Sequence, residues 1–280
     1  MGLGLRGRIT KTQADVNEDI GTYWGRAAWI LDGSSGLVAH KVTTGASDAQ
    51  WYVSQWDKYL RDKILDCTRS IPDILSEGMA FIKKQYDSFA DARHISNLGM
   101  PSAAIALIRE CQDGVIEYFV LGDCSILISL GEQVHYLIDD KIGKFDSLAV
   151  RELKKLQRKG LQFSKIRQEL MPLLRKNREL KNTKEGYWIL GFDKEAIAHG
   201  LQGQIPVEDK MEVLMMSDGF SQIQDVFYKF RNERELISFV SANGLQAAYA
   251  ELCELQAADP ECEKFPRLKR SDDCTALFLG

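Results

Sequence analysis

Four short acidic turns, each set beside an apolar run, constrain this chain more than any other feature of its sequence. They are LDG at Leu31 to Gly33, LGDCS at Leu121 to Ser125, MMSDG at Met215 to Gly219, and SDDCT at Ser271 to Thr275. In AAWILDGSSGL, the apolar residues Ala27 to Leu31 read as a short buried strand, and the chain must leave it through a tight turn at Asp32-Gly33. One Asp-Gly pair is an ordinary turn signal. Its recurrence at strand ends gives a set of carboxylates that a packed β structure would gather at one edge, where like charges repel unless cations neutralise them.

The remaining pattern alternates sheet and helix. Asn17, Glu18 and Asp19 precede Tyr23-Trp24-Gly25, and read either as a solvated loop or, through a hairpin that Gly21 and Gly25 permit, as residues returned toward Asp32. Ser47 caps a helix with Asp48 in its first turn, and Val53, Trp56, Leu60 and Ile64 form an apolar stripe. A second helix is expected from about Ile71 to Phe89, antiparallel to the first on a sheet. Four short strands follow (Ala103–Arg109, Ile116–Leu121, Ile126–Leu130, Val134–Ile138), with turn signals at Asp113-Gly114, Gly122-Asp123 and Gly131-Glu132, as in an antiparallel meander. After a loop-rich stretch come a strand at Met211–Met216, helices at about Glu233–Ala242 and Leu245–Ala257, and a last strand at Thr275–Leu279. No repeat or composition break divides the 280 residues, so one domain, 1–280, with an insertion at about 141–185 is expected.

That insertion is strongly basic. Between Lys141 and Lys184 stand fourteen Lys and Arg against four acids, about +10, while the rest of the chain carries about −14. Two or three short helices with Leu153, Leu156, Ile166, Leu170 and Leu174 on one face fit the pattern. Such a segment is either a solvated insertion or an electrostatic flap that attracts an anionic substrate or partner. No stacking aromatics are interleaved with its cations, which argues against nucleic acid.

No apolar run approaches the roughly 18 residues of a membrane span, and the N-terminus has neither a signal-peptide core nor a complete myristoylation pattern, so a cytoplasmic location is expected. The six cysteines include no CxxC pair and are accompanied by only four histidines, which argues against zinc and points to reduced thiols. Oxygen-only ligation by Asp32, Asp123, Asp218 and Asp272 would favour Mg²⁺ or Mn²⁺. Two such ions about 4 Å apart can share a water, lower its pKa and hold a phosphoryl group for in-line attack.

The order NED, strand ending in DG, helix pair, GD turn, SDG after a strand, and DDxT before the final strand resembles the metal-dependent Ser/Thr protein phosphatases of the protein phosphatase 2C or PPM type. The resemblance runs from Asn17 to Leu279. It implies an α+β fold, a four-layer α-β-β-α sandwich of two antiparallel sheets flanked by helix pairs, with two Mn²⁺ or Mg²⁺ ions at one end and a basic helical flap. By the same resemblance Asp32 bridges both ions, the Gly33 carbonyl binds the second, and Asp218 and Asp272 complete the first shell. Glu18 holds metal-bound waters with Asp19 behind it, and Asp123 matches an acid that helps hold a third, weaker ion in some bacterial relatives. The implied reaction is hydrolysis of phosphoserine or phosphothreonine in proteins by a metal-bridging water.

Three departures bear on substrate. The phosphate-binding arginine expected three residues before Asn17 is Ala14, with Lys11 as the nearest substitute. The histidine of the eukaryotic DGHGG motif is Ser34, and Cys124 follows Asp123 where Ser is usual. Besides a phosphoprotein phosphatase, two readings therefore stand: a catalytically weak protein that binds a phosphorylated or acidic partner through its basic segment, and a phosphatase of a small phosphorylated metabolite.

Overall fold

The structure, a computed structural model, describes residues 2–37, 41–111 and 114–280. Among these, ten strands form two five-stranded antiparallel sheets. One runs in the order β1 (Leu5–Lys11), β10 (Cys274–Leu279), β9 (Glu212–Met216), β6 (Ser125–Leu130), β7 (Gln133–Ile138). The other runs β2 (Asp19–Trp24), β3 (Ala27–Ser34), β4 (Ser102–Cys111), β5 (Val115–Leu121), β8 (Leu201–Pro206).

Side-chain alternation fixes the layers. On β3, Ala28 and Ile30 face the other sheet and meet Met215 and Leu277, while Trp29 and Leu31 face outward. Helices α1 (Asp48–Lys63) and α2 (Ile71–Tyr86) cover that outer face with Trp56, Leu60, Leu75 and Ile82. Each begins at a serine: Ser47 and Ser70 accept hydrogen bonds from the amides of Gln50 and Asp73. On the far side, α5 (Asp218–Asp225), α6 (Glu233–Asn243) and α7 (Leu245–Ala257) pack on Leu214, Met216, Ala276 and Phe278. The result is the α-β-β-α sandwich expected from the resemblance. No helix among the described residues is long and apolar enough to cross a membrane.

Four expectations need correction. The four strands after Pro101 are not one meander: β4 and β5 pair in one sheet, β6 and β7 in the other, and the chain changes sheet at Gly122-Asp123. Gly122, at φ +86°, makes that turn. Of the Asp113-Gly114 signal, Asp113 lies outside the described residues. The basic insertion holds two helices, the lower of the expected two or three, but long rather than short: α3 (Lys141–Arg158) and α4 (Phe163–Glu179), closed on each other through Leu153, Ile166 and Leu170. The loop-rich stretch contains edge strand β8, whose one apolar face, Leu201, Gly203 and Ile205, is too short and glycine-interrupted to signal a strand.

The fourth correction concerns the thiols. Cys67 and Cys111 form a disulfide, with Cα atoms 6.0 Å apart. The loop after α1 is drawn onto the end of β4 by Arg109, which is 1% exposed. Its guanidinium donates to the carbonyls of Ile64 (3.2 Å), Asp66 (3.1 Å) and Arg69 (2.5 Å) and to Glu117 (2.5 Å). Cys124, by contrast, is fully buried, and burial pushes its thiol pKa up, so it is no reactive thiolate.

Arg109→Met would leave three carbonyls and Glu117 without their buried partner, and urea unfolding should show a loss of about 3 kcal/mol. A loss below about 0.5 kcal/mol would show that the disulfide alone holds the loop.

Candidate metal centre

The centre is assembled where both sheets end at one edge of the sandwich. β2 and β3 pair in register so that Asp19 lies directly opposite Asp32. Asp32 has the same parity as Ala28 and Ile30, so its carboxylate faces inward between the sheets. From the other sheet, β9 ends at Met216, Ser217 caps α5, and Asp218 takes the first position of that helix. Its charge acts on Asp32. Asp272 arrives on the loop before β10, and Asp123 on the turn between β5 and β6.

Two glycines allow this crowding. The Gly33 amide donates to the Glu18 carbonyl (3.1 Å), and a Cβ there would come within 2.5 Å of that same oxygen. A Cβ on Gly219 would collide with the backbone oxygen of Asp273. The acidic loops are further tied to one another. Asp273 accepts from the Glu18 amide (2.7 Å), and Ser35 donates to the Glu18 carboxylate (2.6 Å). Of the two adjacent acids, Asp273 is thus engaged with backbone, while Asp272 is the one whose charge acts on Asp32 and Asp218.

The electrostatics are those of a crowded, largely half-buried anionic cluster with Asp19 buried behind it. Burial, then the charges of Asp19, Asp218, Asp123 and Asp272, push the Asp32 carboxyl well above the usual range. Burial also raises Asp19, with Asp218 and Asp273 adding to it, while the hydroxyls of Ser217 and Thr275 favour its charged form. Neither carboxylate oxygen of Asp19 has a hydrogen-bond partner in good geometry, although the residue is 4% exposed. Asp123 and Asp272 are raised to about 6, chiefly by burial, with Asp146 and Asp218 respectively as neighbouring charges. Orphaned buried oxygens and a donor set made only of hard oxygens suit a divalent cation such as Mg²⁺ or Mn²⁺. As the side chains stand, no group of three or more His, Cys, Asp or Glu among the described residues is arranged to hold an ion.

Three charged residues in this site carried no signal in the sequence. Asp146, on α3, lies among the same carboxylates and is raised to about 6 by burial and by Asp218. Lys269 donates to Asp272 (2.6 Å), and its ammonium also acts on Asp32, Asp123, Asp146 and Asp218. That surrounding charge raises the Lys269 pKa. Arg178, from α4, donates to the Ser34 hydroxyl (2.5 Å), so the flap touches the turn that carries Asp32 and Gly33. Lys11, the residue nearest in sequence that could replace the missing arginine, is exposed at the end of β1. It is Thr12 and Ala14, further along, that line the cleft beside the centre.

No family model and no curated protein matches the chain. Solved structures do. The serine/threonine phosphatase PstP/Ppp of Mycobacterium tuberculosis superposes with a TM-score of 0.59 at 12% identity, over 100% of this chain and 98% of that one. A catalytic domain of serine threonine protein phosphatase PstP, in complex with two manganese ions, gives 0.54 at 14% identity, over 99% and 98%. The PPM Ser-Thr phosphatase MsPP of Mycobacterium smegmatis gives 0.53 at 13% identity, over 98% of each chain. The fold is that of the PPM-type Ser/Thr phosphatases. At these identities the likeness is one of fold, and it spans the whole of this chain.

The raised carboxyls set a pH dependence for metal-free protein. A carboxyl whose folded pKa lies above its unfolded value binds more protons in the folded state, so stability falls as pH rises between the two. For Asp123, Asp146 and Asp272 that window runs from about 4 to about 6. Lys269 stays charged throughout it and contributes no slope. The Tm of EDTA-treated protein should therefore drop between about pH 4 and about pH 6. Asp123→Asn should flatten the drop, and a Tm that rises over this interval would contradict the charge assignment.

Proposed function

We propose that the chain is a Mn²⁺- or Mg²⁺-dependent phosphatase that hydrolyses phosphoserine and phosphothreonine in proteins. The observation that carries the proposal is the pairing of Asp32 with Asp19 across one sheet, with Asp218 and Asp272 brought to them from the other. That the superposed proteins are Ser/Thr phosphatases, one of them with two manganese ions, supports it. In this reading residues 1–280 are a single domain with its flap at 141–185.

Asp32, Asp218, Asp272 and the Gly33 carbonyl would hold two ions, Glu18 would act through water, and Asp123 together with Asp146 would offer a third, weaker position. When bound, such ions neutralise the phosphate and acidify a water for attack. The chain's own contributions are positional. Asp273 and Ser35 fix Glu18, the Gly33 amide fixes the DG turn, and Arg178 holds Ser34. Lys269 offers an ammonium at the edge of the site, half exposed and able to meet a phosphate oxygen. No histidine is needed for these roles, and Ser34 takes the position where some relatives carry one.

The second reading, a weak enzyme that binds a phosphorylated partner, has its own supporting observation: the Lys269 ammonium already occupies part of the acidic cluster and holds Asp272. The two readings separate in one assay. With Mn²⁺, phosphopeptide and aryl phosphate should both be turned over, and Asp32→Asn should lose on the order of a hundredfold or more while keeping its circular dichroism. Saturable phosphopeptide binding with no metal-dependent turnover would instead establish the second reading.

A further inference from the structure

Beside the acidic centre lies a cleft of about 910 Å³ with walls from three separate stretches of chain. One is the loop 12–18, including Ala14 and Glu18. Another is the first half of α4, with Phe163, Arg167 and Met171. The third is the loop 269–273, which includes Lys269 and Asp272. The cleft therefore opens directly onto residues of the candidate centre. Its volume is near the upper end of the range of about 300–1,000 Å³ found for small-molecule sites, far more than one phosphorylated serine side chain requires.

Its charges are unevenly committed. Lys269 is held by Asp272. Arg270 is held by Glu261 (2.5 Å) and lies over the Phe163 ring. Arg167 is exposed and, among the described residues, makes no ion pair or hydrogen bond. The loop 12–18 supplies no cation to this cleft, since its lining residues there are neutral or acidic, with Ala14 among them. An arginine that lines an open cleft beside the candidate metal centre and carries no partner among the described residues is a ready partner for a carboxylate or phosphate. Val16, Phe163 and Met171 add apolar surface for neighbouring side chains. The flap's excess of positive charge would steer an anionic chain toward this side of the molecule.

We propose that this cleft seats an acidic phosphorylated polypeptide segment and that Arg167 is its anion-binding residue, so that the basic flap supplies the charge the N-terminal loop lacks. The inference rests on the phosphatase reading of the adjoining centre and adds to it a substrate class and a residue that selects it.

The test is fluorescence anisotropy of a labelled peptide in which a non-hydrolysable phosphonate replaces phosphoserine between aspartates, added to the full chain with Mn²⁺. Arg167→Ala should raise Kd about tenfold, as expected for loss of one charge-assisted contact, and Arg167→Lys should recover part of it. Lys154→Ala is the control: it removes the same charge from the flap at an exposed position outside the cleft and should change Kd by less than about twofold. Equal effects of the two alanine variants, or no saturable binding to the unmodified chain, overturn the proposal. Glycerol phosphate competing with an Arg167 dependence as large as the peptide's overturns its polypeptide half in favour of a small phosphate ester. Aryl phosphate hydrolysis without an Arg167-dependent peptide complex sinks this inference and leaves the phosphatase reading. An Arg167-dependent complex without metal-dependent hydrolysis does the reverse.

Discussion

Two carboxylates facing each other across one rung of a β-sheet, one buried and one half-buried, repel strongly unless a cation stands with them. Asp19 and Asp32 are in that position, and Asp218 and Asp272 add to the same field from the opposing sheet. Much of the local structure serves to hold this arrangement together. Gly33 and Gly219 let two acidic turns approach backbone that any side chain would push away. Asp273 and Ser35 fix Glu18 against the cluster. Lys269 offsets part of the charge and holds Asp272. Close-packed cores back both sheets, with Trp29 and Trp56 between one sheet and its helix pair and Phe220 of α5 and Phe278 in the cluster on the other side.

The second organising feature is the separation of charge along the chain. The flap, near +10, folds as a helical hairpin with its own small core and touches the acidic centre at Arg178 and, through the cleft, at Arg167. A neutral or acidic N-terminal loop therefore faces a cationic flap across the opening. In the proposed reading, the flap arginine that would meet an anion is distant in sequence from the metal-ligand candidates, so the two can vary independently.

The sequence made the centre legible where a local signal existed. Asp32 and Asp218 each follow an apolar run that reads as a strand, Asp272 stands just before one, and their order along the chain carried the resemblance. Asp146, Lys269 and Arg178 had no such mark. Asp146 is one acid in a basic amphipathic helix, Lys269 sits in an irregular loop, and Arg178 looks like any other solvated flap cation until the tertiary fold brings it to Ser34. The split of β5 and β6 between sheets was hidden because Gly122-Asp123 has the local chemistry of a hairpin turn. The Cys67–Cys111 bond was hidden because its partners lie 44 residues apart and are joined by the carbonyl contacts of Arg109, which no spacing rule encodes.

The account stands or falls on whether the acidic edge binds divalent cations through these carboxylates. Anomalous diffraction from crystals soaked in Mn²⁺ reads this directly. The account predicts two strong peaks, with carboxylate oxygens of Asp32, Asp218 and Asp272 and the carbonyl of Gly33 within about 2.0–2.3 Å of them. Crystals that show no peak at this edge, with Lys269 still seated against Asp272, would contradict it.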